Sequence, residues 1–293
     1  MRPLERILVP VDLSPVSEEL VRLAGRLALR YNSELVLFHA IDNLIVEHVA
    51  AGFNPDKVIM DLEQRAKAKL KELKKILDDM NVPATIYDEI PVDDPAIAIN
   101  NAAVKASATE IIIAKRGWRL RRFSLVGSTT KELIKIARVP VIVYHSYYDR
   151  ESKKPAIIGD ENITDKLLVT VDKNTTRELI EYSVNLAFYY ESEEIYVLHV
   201  MEEGESDEKY NKILEEIINS FKSRAPGKVR RILLKGGKIG KIIVKMAESL
   251  ETTIIAGRTL VRSPLEYILG TTLDHIIKLS TRPVIVYPIH SPE

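Results

Sequence analysis

Short unbroken runs of aliphatic residues alternate along this chain with stretches whose apolar positions recur every three or four residues. The run Ile7 to Val11 is too uniformly apolar for a strand with one wet face, and reads as a parallel strand buried on both sides. Ser14 is placed to cap a helix with Pro15 in its first turn and Glu18 near its positive end. The apolar face of that helix is Val16, Leu20, Leu23, Ala24 and Leu27, and it should stop near Tyr31-Asn32-Ser33. A second strand is predicted over Glu34 to Ala40, then an irregular stretch to about Pro55. A long helix follows, with Ile59, Leu62, Ala66, Leu73 and Leu77 on one side. The pattern continues with a strand near Ala84 to Glu89, a helix near Pro95 to Lys105, a strand at Glu110 to Ala114, a helix after Gly127 and a strand at Pro140 to Tyr144.

The same order then recurs, with strands expected near 166–171, 194–200, 228–234, 252–256 and 283–287. The openings match, Ile7-Leu8-Val9-Pro10-Val11-Asp12 against Leu167-Leu168-Val169-Thr170-Val171-Asp172. So do the closings, Gly127-Ser128-Thr129-Thr130 and Val139-Pro140-Val141-Ile142-Val143-Tyr144 against Gly270-Thr271-Thr272 and Arg282-Pro283-Val284-Ile285-Val286-Tyr287. An internal repeat of this kind sets the architecture before any motif is weighed. The fold class is α/β, two tandem Rossmann-like domains with five-stranded parallel sheets. The expected boundaries are 1–147 and 165–293, with the polar stretch 148–164 as a linker.

Composition narrows the function classes. At 293 residues and 46% hydrophobic content, each half has enough apolar material for a core. Lys plus Arg and Asp plus Glu both number 42, which makes nucleic acid or an acidic membrane a poor first partner. There is no cysteine, so disulfides, thiolate metal sites and cysteine nucleophiles are excluded together. No apolar run approaches the ~18 residues that span a bilayer, and the first residues lack a signal-peptide pattern. A cytoplasmic location is the expectation. The six histidines form no ligand pair at helical spacing, so no protein metal site is predicted.

Parallel α/β sheets take ligands beyond the carboxyl ends of their strands, where strand order reverses. After the fourth strand the first half reads Ala114-Lys115-Arg116-Gly117, nine residues, then Gly127-Ser128. The second half reads Gly257-Arg258-Thr259-Leu260, nine residues, then Gly270-Thr271. Glycines permit close approach and positive φ, and a hydroxyl residue opening a helix stands beside amides suited to phosphate. By contrast, Gly236-Gly237-Lys238-Ile239-Gly240-Lys241 fails as a phosphate loop, since Lys235 stands at the leading glycine position and Ile242 follows the lysine.

At these positions the chain resembles the universal stress protein family, whose nucleotide-binding members carry Gly, two residues, Gly, nine residues, then Gly-Ser or Gly-Thr. The opening strand ending in Pro-Val-Asp, the histidine closing strand two and the Pro-Val-Ile-Val ending extend the resemblance over nearly both halves. It implies an adenine nucleotide, ATP or else AMP or ADP, with any magnesium arriving on the phosphates. It also implies an internal pseudo-dimer formed through the two terminal strands, with further self-association and an unknown protein partner left open. Carried over by position, the first site is Pro10, Asp12, Ala40, Ala114, Gly117, Gly127, Ser128 and Thr129. The second is Asp172, Val200, Gly257, Leu260, Gly270, Thr271 and Thr272.

Neither half keeps all three glycines. Ala114 replaces the first glycine in one half, and Leu260 the second glycine in the other, where a branched side chain obstructs phosphate and positive φ would be strained. The first half is therefore the expected site. Trp118-Arg119-Leu120-Arg121-Arg122 reads either as a phosphate clamp or as a basic surface loop packed by one aromatic. Asp12 and Asp172 can serve a ligand or their own turns, and His39 and His199 read as packing residues. Nothing is spaced with them as a second acid, base or nucleophile. Two further readings stand beside nucleotide binding: a nucleotide-free interaction protein with decayed pockets, and a slow ATPase or self-phosphorylating protein with Ser128, Thr129 or Thr271 as acceptors.

Overall fold

The first buried strand organises its half. In the computed structural model, which describes residues 2–49, 54–116, 126–149, 151, 154–202, 204–258, 260–262 and 267–289, the chain falls into two units. One comprises Leu4–Val139 and Ser146–Glu161, the other Met1–Pro3, Pro140–His145 and Asn162–Glu293.

In the first half, β1 (Arg6–Pro10) leads through α1 (Pro15–Tyr31) to β2 (Glu34–Phe38). Then come β3 (Ile41–Asp42), α2 (Asn43–Val49), α3 (Pro55–Asp79), β4 (Ala84–Ile86), β5 (Val92–Asp93), α4 (Pro95–Lys105), β6 (Glu110–Ala114), α5 (Ser128–Ile136), β7 (Val141–Asp149) and β8 (Lys154–Ile158). Parallel pairing orders four strands of this unit β4-β2-β1-β6. Because β1 is flanked on both sides, Ile7, Leu8 and Val9 are fully buried. The predicted face of α1 is buried throughout, and the helix stops where Asn32 turns left-handed (φ 51°) and its amide bonds Ala28 O.

Four stretches depart from the expectation. Strand pairing in β2 ends at Phe38, because the chain leaves for a separate two-stranded ladder of β3 with β5. The stretch read as irregular contains α2, too short for periodicity to announce. Ile59 and Leu62 are only half-buried, so the buried stripe of α3 begins at Ala66. The stretch 148–164 carries the end of β7 and all of β8, which pairs with β7.

In the second half, β9 (Lys166–Thr170), α6 (Arg177–Tyr189), β10 (Glu194–Met201), α7 (Asp207–Lys222), β11 (Lys228–Lys235), α8 (Ile239–Leu250) and β12 (Thr253–Arg258) precede β13 (Leu260–Arg262), β14 (Tyr267–Leu269), α9 (Thr271–Leu279) and β15 (Val284–Pro288). The parallel order is β11-β10-β9-β12-β15. Within the same unit, Val141, Ile142 and Val143 pair antiparallel with Val286, Ile285 and Val284.

The glycine run before α8 has a structural explanation. Gly236 and Gly237 turn left-handed (φ 71° and 87°), a conformation that favours glycine. A Cβ on Gly240 would lie 2.6 Å from His275 Cβ and 2.9 Å from Thr272 O, so glycine there lets α8 lie against α9. Two cations are buried at matching strand ends, Lys115 just after β6 and Arg258 at the end of β12, with 2% and 5% exposure. Burial, helped by the neighbouring Arg116 charge, lowers Lys115 to about 8.

Two outcomes follow. Gly240→Ala should lose about 1–2 kcal/mol in denaturant unfolding, since an overpacking cost of ~1–3 kcal/mol exceeds the ~0.5–1 kcal/mol that alanine adds to a helix; an unchanged midpoint would refute the close approach. Between about pH 8 and the ordinary lysine value of 10.5, the folded chain releases the Lys115 proton while the unfolded chain holds it. Stability should therefore rise with pH across that window. Urea unfolding of Lys115→Met should lack this rise, and parallel pH profiles of the two proteins would disprove it.

Candidate functional site

Strand register brings the first-half residues to one edge. Pro10 pairs with Phe38, and Val11 continues the ladder by donating its amide to Phe38 O at 2.9 Å. Leu8 pairs with Ile111, which sets the chain after β1 beside the end of β6. β2 and β6 flank β1 on opposite sides, so strand order reverses there, at the kind of position where parallel α/β sheets take ligands. Asp12 is exposed at that edge, and Ala40 is half-buried beside it.

Asp12 builds its own turn. Its Oδ1 accepts from Ser14 N at 3.0 Å and from Ser17 Oγ at 3.0 Å, which holds Leu13 left-handed (φ 59°) before α1. His39 Nδ1 lies 2.8 Å from Val11 O, tying the end of strand two to strand one. Burial lowers the pKa of His39, against upward pulls from that carbonyl and from Asp12. The imidazole is accordingly neutral at physiological pH.

The start of α5 closes the other side. Gly127 N donates to Lys115 O at 2.9 Å, and Thr130 Oγ1 donates to Ala114 O at 3.1 Å. Among the described residues no side chain caps this helix, and Ser128 is exposed with Thr129 half-buried. First-turn amides without a side-chain acceptor, at the positive end of a helix dipole, suit an anion. Gly127 has φ −64°, and a Cβ there would meet Lys115 O at an ordinary 3.4 Å. The protein itself does not demand glycine at this position. Ser146, which the sequence pattern does not single out, holds the loop: its Oγ accepts from Arg116 N at 2.9 Å and donates to Arg116 O at 2.8 Å. Gly117 and Trp118-Arg119-Leu120-Arg121-Arg122 lie outside the described residues.

The second-half residues reach a matching edge by the same register, with different neighbours. Val171 N donates to Leu198 O at 2.8 Å, and His199 Nδ1 lies 2.7 Å from Val171 O. Asp172 turns back on its own segment, its Oδ1 accepting from Asn174 N at 2.8 Å and Thr175 Oγ1 at 3.2 Å. A Cβ on Gly257 would lie 2.7 Å from Ile289 Cδ1 and 3.0 Å from Leu179 Cδ1. Leu260 is not strained by a positive φ, because it lies in β13 and pairs with Leu269 of β14. The hairpin delivers Gly270 and Thr271 to the uncapped start of α9, with Thr271 exposed and Thr272 half-buried. Val200 is buried, unlike its counterpart Ala40.

Among the described residues no group of three or more His, Cys, Asp or Glu side chains could hold a metal ion. No helix among them is long and apolar enough to cross a membrane.

Comparison with known proteins agrees with this architecture. Residues 3–145 match the model of the Universal stress protein family. A universal stress protein of Mycolicibacterium smegmatis is 28% identical over 158 residues, 52% of this chain and 53% of that protein, so the chain spans about half the length of this relative. The crystal structure of a universal stress protein from Archaeoglobus fulgidus covers 99% of this chain and 98% of its own, with a TM-score of 0.74 and 21% identity, a likeness of fold over both halves. A universal stress protein from Archaeoglobus fulgidus in complex with dAMP is 21% identical, covering 43% of this chain and 98% of its own at a TM-score of 0.33. Residues 3–145 of this chain thus form a domain of the universal stress protein family.

Proposed function

We propose that this protein is a tandem universal stress protein of the cytoplasm that binds an adenine nucleotide, ATP with magnesium, chiefly in its first half. The observation that carries the reading is the convergence at one sheet edge of Asp12, the chain after His39, the Ala114 turn and the uncapped start of α5. An exposed carboxylate suits ribose hydroxyls, the backbone at Ala40 suits the edge of a base, and the amides of Ser128 and Thr129 suit phosphate. Magnesium would come with the phosphates, where its preference for several waters and phosphate oxygens is met.

Occupancy would bias a surface read by a protein partner, which requires different affinity for two conformations. An internal pseudo-dimer of the two duplicated halves belongs to the same reading, since duplication in one chain raises effective concentration. Domain limits of 1–147 and 165–293 go with it. The reading contains no catalytic step.

The test is calorimetric titration of MgATP into stripped full-length protein and two variants. Asp12→Asn keeps an oxygen for Ser14 N and Ser17 Oγ but replaces the other acceptor with a donor, so the turn survives and ribose contact is lost. Gly127→Val places bulk at the helix start with no forbidden backbone angle. Wild type should bind about one nucleotide per chain, and each variant should weaken binding about tenfold or more, equivalent to ~1.4 kcal/mol. Affinity unchanged in both variants, or no binding by wild type, would overturn the reading and leave a nucleotide-free interaction protein.

A further inference from the structure

The histidines that close the second strand in each half share one contact and differ in the next. His39 and His199 both place Nδ1 against the carbonyl that follows strand one. Beyond that, the His39 ring is partly open, whereas His199 is only 3% exposed. The difference comes from the segment that follows β10. Glu205 folds back over the strand end: its Oε2 accepts from Glu202 N at 2.8 Å and lies 3.1 Å from His199 Nε2. Its Oε1 accepts the Tyr210 hydroxyl at 2.7 Å. The Tyr210 ring then lies flat on the His199 imidazole, with centroids 3.7 Å apart and planes 11° from parallel.

This assembly has the elements of a bound base. A planar ring is stacked on the strand-end histidine, and a polar group takes a backbone amide just past Val200. We propose that Tyr210 and Glu205 are a built-in occupant of the second half's base site, an autoinhibitory contact that holds this half shut so that the chain takes one nucleotide. The inference rests on the reading that these strand-end edges are nucleotide sites.

The contact is built to be released. Glu205 sits on a surface segment whose neighbours Gly204 and Ser206 are exposed, and Gly204 turns left-handed (φ 87°) with nothing within 4 Å of where its Cβ would stand. Beyond Glu205 lies a cleft of about 620 Å³, lined also by Met201, Glu202, Lys235 and Gly237. Glu205 therefore stands between that space and His199, lining the one and contacting the other. Hydrogen bonds from Tyr210, the Glu202 amide and His199 outweigh the upward push of burial and hold the Glu205 carboxyl below its ordinary value. The same contact, after burial, pushes Tyr210 up to about 12.

The experiment counts MgATP sites per full-length chain in wild type, Glu205→Ala and Tyr210→Ala, and again with Asp12→Asn added to each. Opening should raise the second half's apparent affinity by the reciprocal of its open fraction, about tenfold or more, and add one site that survives Asp12→Asn. Should no site be added in Glu205→Ala, the proposal falls, whatever the first half does. A wild-type site lost on Asp172→Asn would overturn it as well, because the second half would already be open. If wild type binds nothing while Glu205→Ala gains one site, the contact stands and the first-half reading fails. Tyr210 is buried and its loss can unfold α7; Glu205→Ala, at the surface, then decides alone.

Discussion

Both halves depend on one repeated clamp. The residue after the first strand, Val11 or Val171, donates its amide to the strand-two carbonyl at Phe38 or Leu198, and its own oxygen meets the ring nitrogen of His39 or His199. With both backbone groups committed to strand two, the chain must leave the sheet at the next residue, which is aspartate in each half. The position of Asp12 and of Asp172 at the edge is thus a consequence of parallel pairing plus one imidazole. Everything offered to a ligand lies within a few residues of this clamp or across the switch point from it.

The sequence pattern made the repeated order, the buried first strand and the α1 stripe legible, because each follows from local periodicity or from punctuation by Gly, Pro and Asn. It did not reveal α2, too short for periodicity to announce, or β8, which follows β7 within the polar stretch read as a linker. Nor did it show that Gly127 and Gly270 have negative φ, since a glycine in a motif looks the same whether it serves conformation, packing or a ligand. Gly240 is a packing glycine by contact, held against His275 Cβ and the Thr272 carbonyl. Tyr210 was illegible for a simpler reason: eleven residues from His199, it sits in a helical pattern as one more apolar position, and only the fold lays it on the imidazole.

The halves diverge where backbone constraint ends. Up to the clamp they are nearly superposable in sequence. Beyond strand two, the first half runs into β3 and α2, whereas the second makes a short return that brings Glu205 and Tyr210 onto His199. Beyond strand four, the second half pairs with itself as the β13–β14 hairpin. The same scaffold therefore leaves the strand-end histidine partly exposed once and covers it once, with no change in sheet order.

The helix starts distinguish a covered site from an abandoned one. α3, α4 and α6 open on Asn54, Asp94 and Thr176, whose side chains accept first-turn amides. Such caps are worth about 1 kcal/mol relative to a residue that cannot cap, although glycine gives up only a few tenths of that. Among the described residues α5 and α9 have no side-chain cap, as is also true of α1, α7 and α8, but only α5 and α9 open on glycine, and neither glycine is required by its φ. A pocket with no remaining use could take serine or aspartate at either position and gain stability. Among the described residues, the second half instead keeps its first-turn amides clear of a side-chain cap while its base side is filled by Tyr210. A helix start opened by glycine behind a base end filled by Tyr210 is an arrangement that a releasable latch requires.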